Sequence, residues 1–320
     1  MILSFVIVIA VLAAGAEPPE SDGESRWLSD IRAENRETRS HALDELRKKL
    51  ESGATDAETI QGFLLAGFET DHGLRMEVSD LIDLISVGAK TQLIKALSDP
   101  RPEIKSQAAL GLGTIGPEAS DSLDQLLTLV QDTDQYVSTV AGVAISRIDL
   151  AGSTFPDLLT MLRGDSGYVR NQAAHALNRF NERVYPIVPE IIPLLGADDE
   201  NLRYWLVIVV ANAKDTEPEV VRVLARLLLA DRSSFVRGRV AREFWEMGHN
   251  QRLLPAVATD ALVEALQNDP SEGVKEEAAK ALGSNRSLTQ QYRDVLDACV
   301  DREFAPLRKI CQASLNGEFQ

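Results

Sequence analysis

Apolar residues along the chain follow a helical pattern that restarts about every 33 residues. Each restart is a branched apolar residue, usually followed by a basic or other polar residue, that opens a short segment rich in Ala and Leu. These anchor residues are Leu74, Ile104, Val137, Val169, Leu202, Val236, Val274 and Leu307. A fixed period of this length is typical of stacked units that each bury a face only against their neighbours. The pattern therefore predicts an all-α fold, an α-solenoid.

Positions zero, four, eight and eleven after an anchor lie on one side of a helix, because successive residues turn by about 100°. In one copy these positions are Ile104, Ala108, Leu112 and Ile115. Small residues such as Gly142 and Ala173 lie where a neighbouring helix must approach closely. Another apolar run and a polar turn precede each such segment. We therefore expect about eight to nine antiparallel helix pairs.

Aspartates and prolines mark the turns between the two helices of a pair. An Asp at the turn accepts hydrogen bonds from the free N–H groups at the start of the following helix. Pro100 and Pro270 fit a turn or the first turn of a helix, where a missing N–H costs nothing. Pro193 instead lies within an apolar run, so we expect it to kink or shorten its helix.

An acidic residue at the turn and a basic residue after the anchor recur together. The turn residues are Asp99, Asp132, Asp165, Asp198, Asp231, Asp269 and Asp301, and the basic residues are Lys105, Arg170, Arg203, Arg237, Lys275 and Arg308. In these features the chain resembles HEAT-repeat proteins, in particular the short HEAT-like units of the phycobilisome-lyase type. The resemblance covers residues 54–316, with a weaker copy at residues 36–50. It implies a ladder of Asp–Arg contacts between adjacent units, which Ser138 interrupts.

The amino terminus predicts export. Residues 1–16 form an unbroken apolar run that ends in Ala14-Gly15-Ala16 and is followed by the acidic Glu17, the pattern of a signal peptide cleaved near Ala16. As a helix the run would span about 24 Å, less than the roughly 30 Å of a bilayer core. No Lys or Arg precedes the run, which departs from the usual signal. We expect a secreted or periplasmic protein.

Three regions follow from these patterns. Residues 1–16 are the predicted signal peptide, residues 17–53 a capping segment with a degenerate repeat, and residues 54–320 the repeat array. Cys299 and Cys311 flank the turn of the last pair. In an oxidising compartment they would form a disulfide; the alternative is that they pack as two small buried apolar residues.

Residues with catalytic or metal-binding chemistry do not cluster in the sequence. The four histidines are scattered, and none precedes a Glu as in di-iron enzymes built on HEAT repeats. We therefore expect no catalytic activity, no metal site and no cofactor. The net charge of −16 argues against nucleic-acid binding, which needs a positive face. We expect a monomer whose mature chain has no membrane span.

The middle of the array is the least acidic part and carries a set of aromatic and basic residues at positions opposite the predicted core. The candidate partner-binding residues are His175, Arg179, Tyr204, Trp205, Arg239, Arg242 and Trp245. Aromatic residues and Arg are enriched at binding hot spots. The alternative interpretation is that the tryptophans fill wide gaps between units.

The predicted function is that of a non-catalytic protein-binding scaffold or adaptor that presents a concave helical surface outside the cytoplasm. The resemblance leaves two alternatives open. One is an enzyme or enzyme accessory of the bilin-lyase type, and the other is a structural spacer without a specific ligand. The fold alone does not choose among them, because the same architecture serves all three.

Overall fold

The computed structural model of the chain describes residues 26–213, 217–249, 254–284, 286–302 and 305–319. The predicted signal peptide, residues 1–16, lies outside the described residues. All regular elements in the described ranges are α-helices or short 3-10 helices. The chain divides into two compact units between Ile115 and Gly116. The predicted all-α solenoid of helix pairs is confirmed.

The first unit contains consecutive helix pairs. They are α1 (Arg26–Asp30) with α2 (Arg36–Glu51), α3 (Ala57–Ala66) with α4 (His72–Ile82), and α5 (Lys90–Ala96) with α6 (Pro102–Ile115). A 3-10 turn, Val87–Ala89, leads into α5. The second helices of the pairs pack side by side in chain order. Leu46, Phe63 and Leu112 are fully buried, so the apolar interior lies between the helices of neighbouring pairs.

The second unit continues the same arrangement. A 3-10 segment (Gly116–Ser122) leads into α7 (Leu123–Val130) and α8 (Gln135–Ile148), followed by α9 (Phe155–Leu162) and α10 (Gly167–Asn178). Further along are α12 (Glu200–Ala213), α13 (Pro218–Ala230), α14 (Ser234–His249), α15 (Ala256–Asn268) and α16 (Glu272–Leu282). The last elements are α17 (Arg286–Gln291), α18 (Arg293–Arg302) and α19 (Ala305–Asn316). Each second helix packs against the second helix of the next pair.

α12 is the second helix of its pair. The first helix of that pair is broken, as the sequence predicts for Pro193. It consists of a 3-10 segment (Asn181–Ile187), the single turn α11 (Val188–Ile191) and another 3-10 segment (Ile192–Gly196). Pro186, Pro189 and Pro193 follow one another through it. Each proline lacks a backbone N–H and crowds the preceding turn, so a regular helix does not continue.

The predicted core positions are largely confirmed. In α14, Val236, Val240 and Phe244 are fully buried. Val169 is an exception among the anchors, because it is only partly buried. The predicted close approach is also present, since a Cβ added to Gly142 would lie 3.0 Å from the Cβ of Ala176 in the next second helix. A larger residue at Gly142 would therefore push α8 and α10 apart.

A row of buried ion pairs joins successive repeats in the second unit. Arg203 donates from Nε and Nη2 to the two carboxylate oxygens of Asp231, at 2.8 and 2.9 Å, and from Nη1 to the backbone oxygen of Ala197 at 2.8 Å. Arg237 binds Asp269 in the same way, at 2.7 and 2.9 Å. Each arginine thus ties the turn of its own repeat to the turn of the next. We call this row the Arg–Asp ladder, which confirms the contact that the resemblance implies.

The ladder differs from the sequence interpretation at the turn before α12. Arg170 donates to Asp199, at 2.8 Å, whereas Asp198 pairs with Arg232 at the surface. Asp199 occupies the ladder position because it also accepts the backbone N–H groups that open α12. The sequence interpretation had placed Asp198 there, which is wrong. In the first unit an equivalent pair links Arg39 to Glu69 at 2.7 Å, so the contact also occurs in the weaker repeat.

Ser138 interrupts the ladder as predicted. A tyrosine that was not predicted to do so forms the contact between the repeats at this point. The hydroxyl of Tyr168, in the next repeat, donates to the backbone oxygen of Asp132 at 2.7 Å and lies 3.2 Å from Ser138 Oγ. At the equivalent turn carbonyls of their own repeats, the donors are Arg170, Arg203 and Arg237. A neutral phenol therefore connects these two repeats.

The ladder carboxylates keep their negative charge although they are buried. Burial raises the pKa of Asp231, but hydrogen bonds from Arg203 and from the Ser233 backbone outweigh burial, so the pKa lies below its ordinary value. The pKa of Asp269 is lowered by the corresponding contacts with Arg237 and Ser271, again against burial. Because these values are lower than in the unfolded chain, the pairs stabilise the fold at neutral pH and lose this contribution in acid.

Two further features of the described residues bear on the protein's setting. Cys299 in α18 and Cys311 in α19 form a disulfide between the antiparallel helices of the last pair, with Cα atoms 6.2 Å apart. Within the described ranges, no helix combines the length and the apolar character needed to cross a bilayer.

Candidate partner-binding surface

The seven candidate residues lie on three neighbouring second helices of the second unit. His175 is in α10, Tyr204 and Trp205 are in α12, and Arg239 and Arg242 are in α14. Arg179 directly follows α10, and Trp245 is in the last turns of α14. Since α10 packs on α12 and α12 packs on α14, the fold brings the candidates together on one side of the unit. We call these seven residues the mid-array face.

Aromatic rings form a continuous row across the mid-array face. The ring centroids of His175 and Trp205 are 3.7 Å apart. Trp205 meets Tyr204 edge to face, with ring centroids 5.6 Å apart. Tyr204 in turn stacks on Phe235 of the next repeat at 4.3 Å. Such contacts restrict the rotation of the side chains. The row therefore links three repeats and presents rings that are already held in place.

A buried ion pair supports the Arg239 end of this row. The guanidinium of Arg239 lies over the ring of Tyr204, 5.6 Å from its centroid, and hydrogen-bonds to Glu243 one turn further along α14. Glu243 is 3 % exposed. Burial raises the pKa of Glu243 to about 7, although the charge of Arg239 and its hydrogen bond act in the opposite direction.

Two buried donors on the mid-array face have no hydrogen-bond acceptor among the described residues. They are Nε of Arg239 and Nε1 of Trp245. The Trp245 ring stacks on His249, with centroids 5.2 Å apart. Burial lowers the pKa of His175, with a smaller contribution from the charge of Arg179, so this imidazole is neutral at physiological pH.

The face is less exposed than the sequence analysis expected. Gln172, Ile208 and Ala211, which lie beside the candidate residues on the same helices, are buried, and Trp205 and Trp245 are half-buried. The reason is that second helices lie side by side, so positions on the flanks of each helix contact the next one. Arg179 and Arg242 remain exposed. Trp205 therefore contributes to packing between repeats through its contact with His175 of the preceding repeat.

The sequence analysis missed a set of exposed rings just before the anchors. Tyr136, Tyr168 and Phe235 each directly precede an anchor residue, and they are 61 %, 38 % and 54 % exposed. The signal was available as an aromatic residue at the same position in three repeats. This position lies on the same side of its helix as Arg239 and Arg242 do in α14, but it precedes the anchor from which the candidate positions were counted. Phe235 extends the mid-array face through its contact with Tyr204.

Further grooves lie elsewhere on the second unit. One, of about 440 Å³, lies beside the Arg203–Asp231 pair, whose hydrogen-bonding groups already bind each other. Another, of about 630 Å³, lies between α13 and α15 and is lined by Arg222, Arg226, Asp260 and Glu264. In the part of the chain that the structure describes, no group of three His, Cys, Asp or Glu residues is placed to hold a metal ion.

Comparisons with known proteins identify the repeats. The family model of HEAT repeats matches residues 90–178 and 155–245. The HEAT-like repeats protein from the archaeon Thermococcus onnurineus NA1 is 17 % identical over 71 % of this chain and 96 % of its own, with a TM-score of 0.43. An engineered protein of known crystal structure is 18 % identical over 91 % of this chain and 87 % of its own, with a TM-score of 0.38. No curated protein matches the chain. HEAT repeats are generally protein-interaction scaffolds.

The buried carboxyl of Glu243 predicts an unusual pH dependence. Its pKa is raised on folding, so its contribution to stability is complete below pH 4.5 and is lost as the pH rises toward 7. Replacing Glu243 by Gln should remove this loss and make the variant more stable than the wild type at pH 8, by up to about 3 kcal/mol. Urea unfolding at pH 5 and pH 8 measures the difference.

The exposed Glu219, in α13, provides the control, because its charge does not contribute to the pKa shift of Glu243. Glu219→Gln should keep the pH dependence of the wild type. A Glu243→Gln variant that is less stable than the wild type at pH 8 would show that the ionised pair with Arg239 stabilises the fold.

Proposed function

We propose that this chain, whose residues 90–245 match the family model of HEAT repeats, is a non-catalytic scaffold or adaptor that binds a partner protein through the mid-array face. The observation that carries this proposal is the stacked pair of Tyr204 and Phe235 beside the guanidinium of Arg239. Phe235 is 54 % exposed although it is a large apolar residue. Aromatic and Arg side chains grouped in this way have the composition of a binding hot spot.

The fixed geometry of these rings also supports binding. Tyr204 is held by Trp205 on one side and by Phe235 on the other. A partner that contacts a side chain already held in one rotamer avoids part of the entropy cost of binding. The exposed Arg242 and Arg179 supply charged groups at the margin of the rings. A central apolar cluster with a polar margin is the usual plan of a protein interface.

The same contacts favour a scaffold over a spacer and over an enzyme. A spacer requires packing between repeats, which His175 and Trp205 provide, but it does not require an exposed Phe235. An enzyme or bilin-lyase-like accessory requires polar groups that converge on a substrate. The mid-array face instead groups aromatic rings with arginine, which is the composition of a protein-binding surface, so we favour the scaffold.

We further propose that the protein acts outside the cytoplasm. The apolar residues 1–16 with their Ala14-Gly15-Ala16 ending support a cleaved signal peptide. The disulfide between Cys299 and Cys311 supports the same setting, because disulfides persist in secreted and periplasmic proteins and are rare in the cytosol.

Charge reversal at the exposed Arg242 tests the partner site. Arg242→Glu should weaken binding of a partner captured from an extracytoplasmic extract by about 1–2 kcal/mol or more, because it places a negative charge beside the aromatic cluster. The fold should be retained, since Arg242 is exposed and the core residues of α14 are unchanged. Calorimetry with the captured partner measures the loss.

Arg222→Glu provides a matched control, because Arg222 is exposed on the first helix of the same pair. It should bind the partner as the wild type does. Equal binding by both variants would contradict a partner site on the mid-array face, and equal losses would show only a response to net charge.

Export predicts a specific amino terminus. The native protein should be recovered outside the cytoplasm with a chain that begins near Glu17, because a signal peptidase cleaves after the small residue Ala16. Mass spectrometry of fractionated cells measures the terminus. Recovery of the intact residues 1–16 in the cytosolic fraction would contradict export.

A further inference from the structure

A cationic pocket of about 550 Å³ lies at the C-terminal ends of α8 and α10. Its polar wall contains Arg147, Arg179 and Arg183 together with Asn178 and Asn181, and we call these five residues the arginine pocket. None of the side chains that line it is acidic. This is unusual in a chain with a net charge of −16, in which most ladder arginines face a carboxylate.

The repeat places two of these arginines side by side. Arg147 lies ten residues after the anchor Val137, and Arg179 lies ten residues after the anchor Val169. Equivalent positions in neighbouring second helices face the same way, and α8 and α10 pack closely where Gly142 meets Ala176. The repeat period therefore generates a pair of neighbouring guanidinium groups.

Arg183 forms a rigid part of the wall. It donates from Nη2 to the backbone oxygen of Ser146 at 2.6 Å and from Nη1 to that of Asp149 at 3.0 Å, and its guanidinium lies over the ring of Phe180. The carboxylate of Asp149 is nearby, but it accepts hydrogen bonds from the backbone and hydroxyl groups of Ser153 and Thr154. The positive charge of Arg183 is thus fixed at the pocket by neutral carbonyl groups.

The two asparagines provide neutral donors next to these charges. Asn178 Oδ1 accepts a hydrogen bond from Asn212 at 2.9 Å, which orients the amide and leaves Nδ2 of Asn178 to donate elsewhere. Asn181 adopts a left-handed backbone conformation with φ of 50°, which turns the chain from α10 toward Arg183. The pocket therefore contains amide donors as well as guanidinium groups.

Arg147 and Arg179 are exposed and form no ion pair with the described residues. A cation in the last turn of a helix interacts favourably with the helix dipole, which gives Arg147 a structural role as well. That role accounts for one cation at each helix end. It does not account for the grouping of three arginines and two amide donors around one opening.

We propose that the arginine pocket binds the carboxylate groups of an acidic segment of the partner protein. This inference rests on the proposed function, because Arg179 belongs to both the pocket and the mid-array face. The planar guanidinium fork matches a carboxylate in a bidentate arrangement, and the pocket is wide enough to take more than one such group. The apolar side chains of Val143 and Leu150 complete the wall and suit the methylene groups of Glu.

A fluorescein-labelled peptide of six glutamates serves as the probe. At an ionic strength of about 0.15 M, where the Debye length is about 8 Å, the purified mature chain should bind this peptide. The double variant Arg147→Gln/Arg179→Gln should weaken binding at least about tenfold, because it removes two charge-assisted contacts. Arg179→Lys should weaken peptide binding less, because lysine keeps the positive charge and lacks only the planar guanidinium that binds a carboxylate at two points. Fluorescence anisotropy measures the affinity, and thermal unfolding checks that each variant is folded.

The control is Arg222→Gln/Arg226→Gln, which removes the same charge from the groove between α13 and α15. It should bind the peptide within about twofold of the wild type, as expected when contacts are local and distant charges are screened. Equal weakening by both double variants, or no binding by the wild type, would overturn the proposal. Inorganic phosphate that binds more tightly than the peptide, through the same arginines, would overturn the peptide as the occupant in favour of a small free anion.

The assay also separates this proposal from the proposed function. It needs no captured partner, and Arg242 does not line the arginine pocket. Loss of partner binding in Arg242→Glu together with unchanged peptide binding in Arg147→Gln/Arg179→Gln would refute the pocket alone. The opposite pattern would refute the mid-array face and leave an acidic-peptide site at the pocket.

Discussion

The contact on which the rest of the structure depends is the bidentate pair between an arginine of one repeat and a carboxylate of the next. Arg203 and Asp231 are nearly inaccessible, and every hydrogen-bonding group of the pair has a partner. A buried ion pair of this kind adds little net stability over an apolar replacement, but removing one partner costs about 3–5 kcal/mol because a charge remains buried. Because the guanidinium is planar and binds both carboxylate oxygens, the pair fixes the orientation of the two turns as well as the distance between them. Its main effect is therefore to hold each turn in register with its neighbours.

Register at the turns determines what the second helices can present. The Arg203–Asp231 contact ties the start of α12 to the turn between α13 and α14. Tyr204 and Phe235 therefore meet at stacking distance. Between α8 and α10, where Ser138 interrupts the ladder, Tyr168 joins the two turns, and the other ends of these helices place Arg147 and Arg179 at one pocket. The aromatic row and the arginine pocket are thus two results of one repeat period. The side chains of the aromatic row and of the arginine pocket belong to the few positions that differ between repeats, while the buried contacts recur.

Most of the fold could be predicted from the sequence, because the anchors, turn aspartates and small residues are local signals repeated many times. Pro193 was read correctly for the same reason, since its effect is confined to its own helix. What could not be predicted depends on contacts between repeats. The choice of Asp199 over Asp198 and the contribution of Tyr168 at Ser138 require the distance between two turns. The partial burial of Trp205 and Trp245 likewise depends on how neighbouring helices face each other, so the helix period alone overestimated the exposed face.

A double-mutant cycle on Arg203 and Asp231 tests the ladder most directly. Urea unfolding of Arg203→Met, Asp231→Asn and the double variant gives the coupling free energy of the pair, and the same cycle on the exposed pair Arg232 and Asp198 gives the reference. The account predicts a coupling of about 2–3 kcal/mol for the buried pair and less than about 1 kcal/mol for the exposed one. Equal and small couplings would show that the repeats hold their register without the ladder.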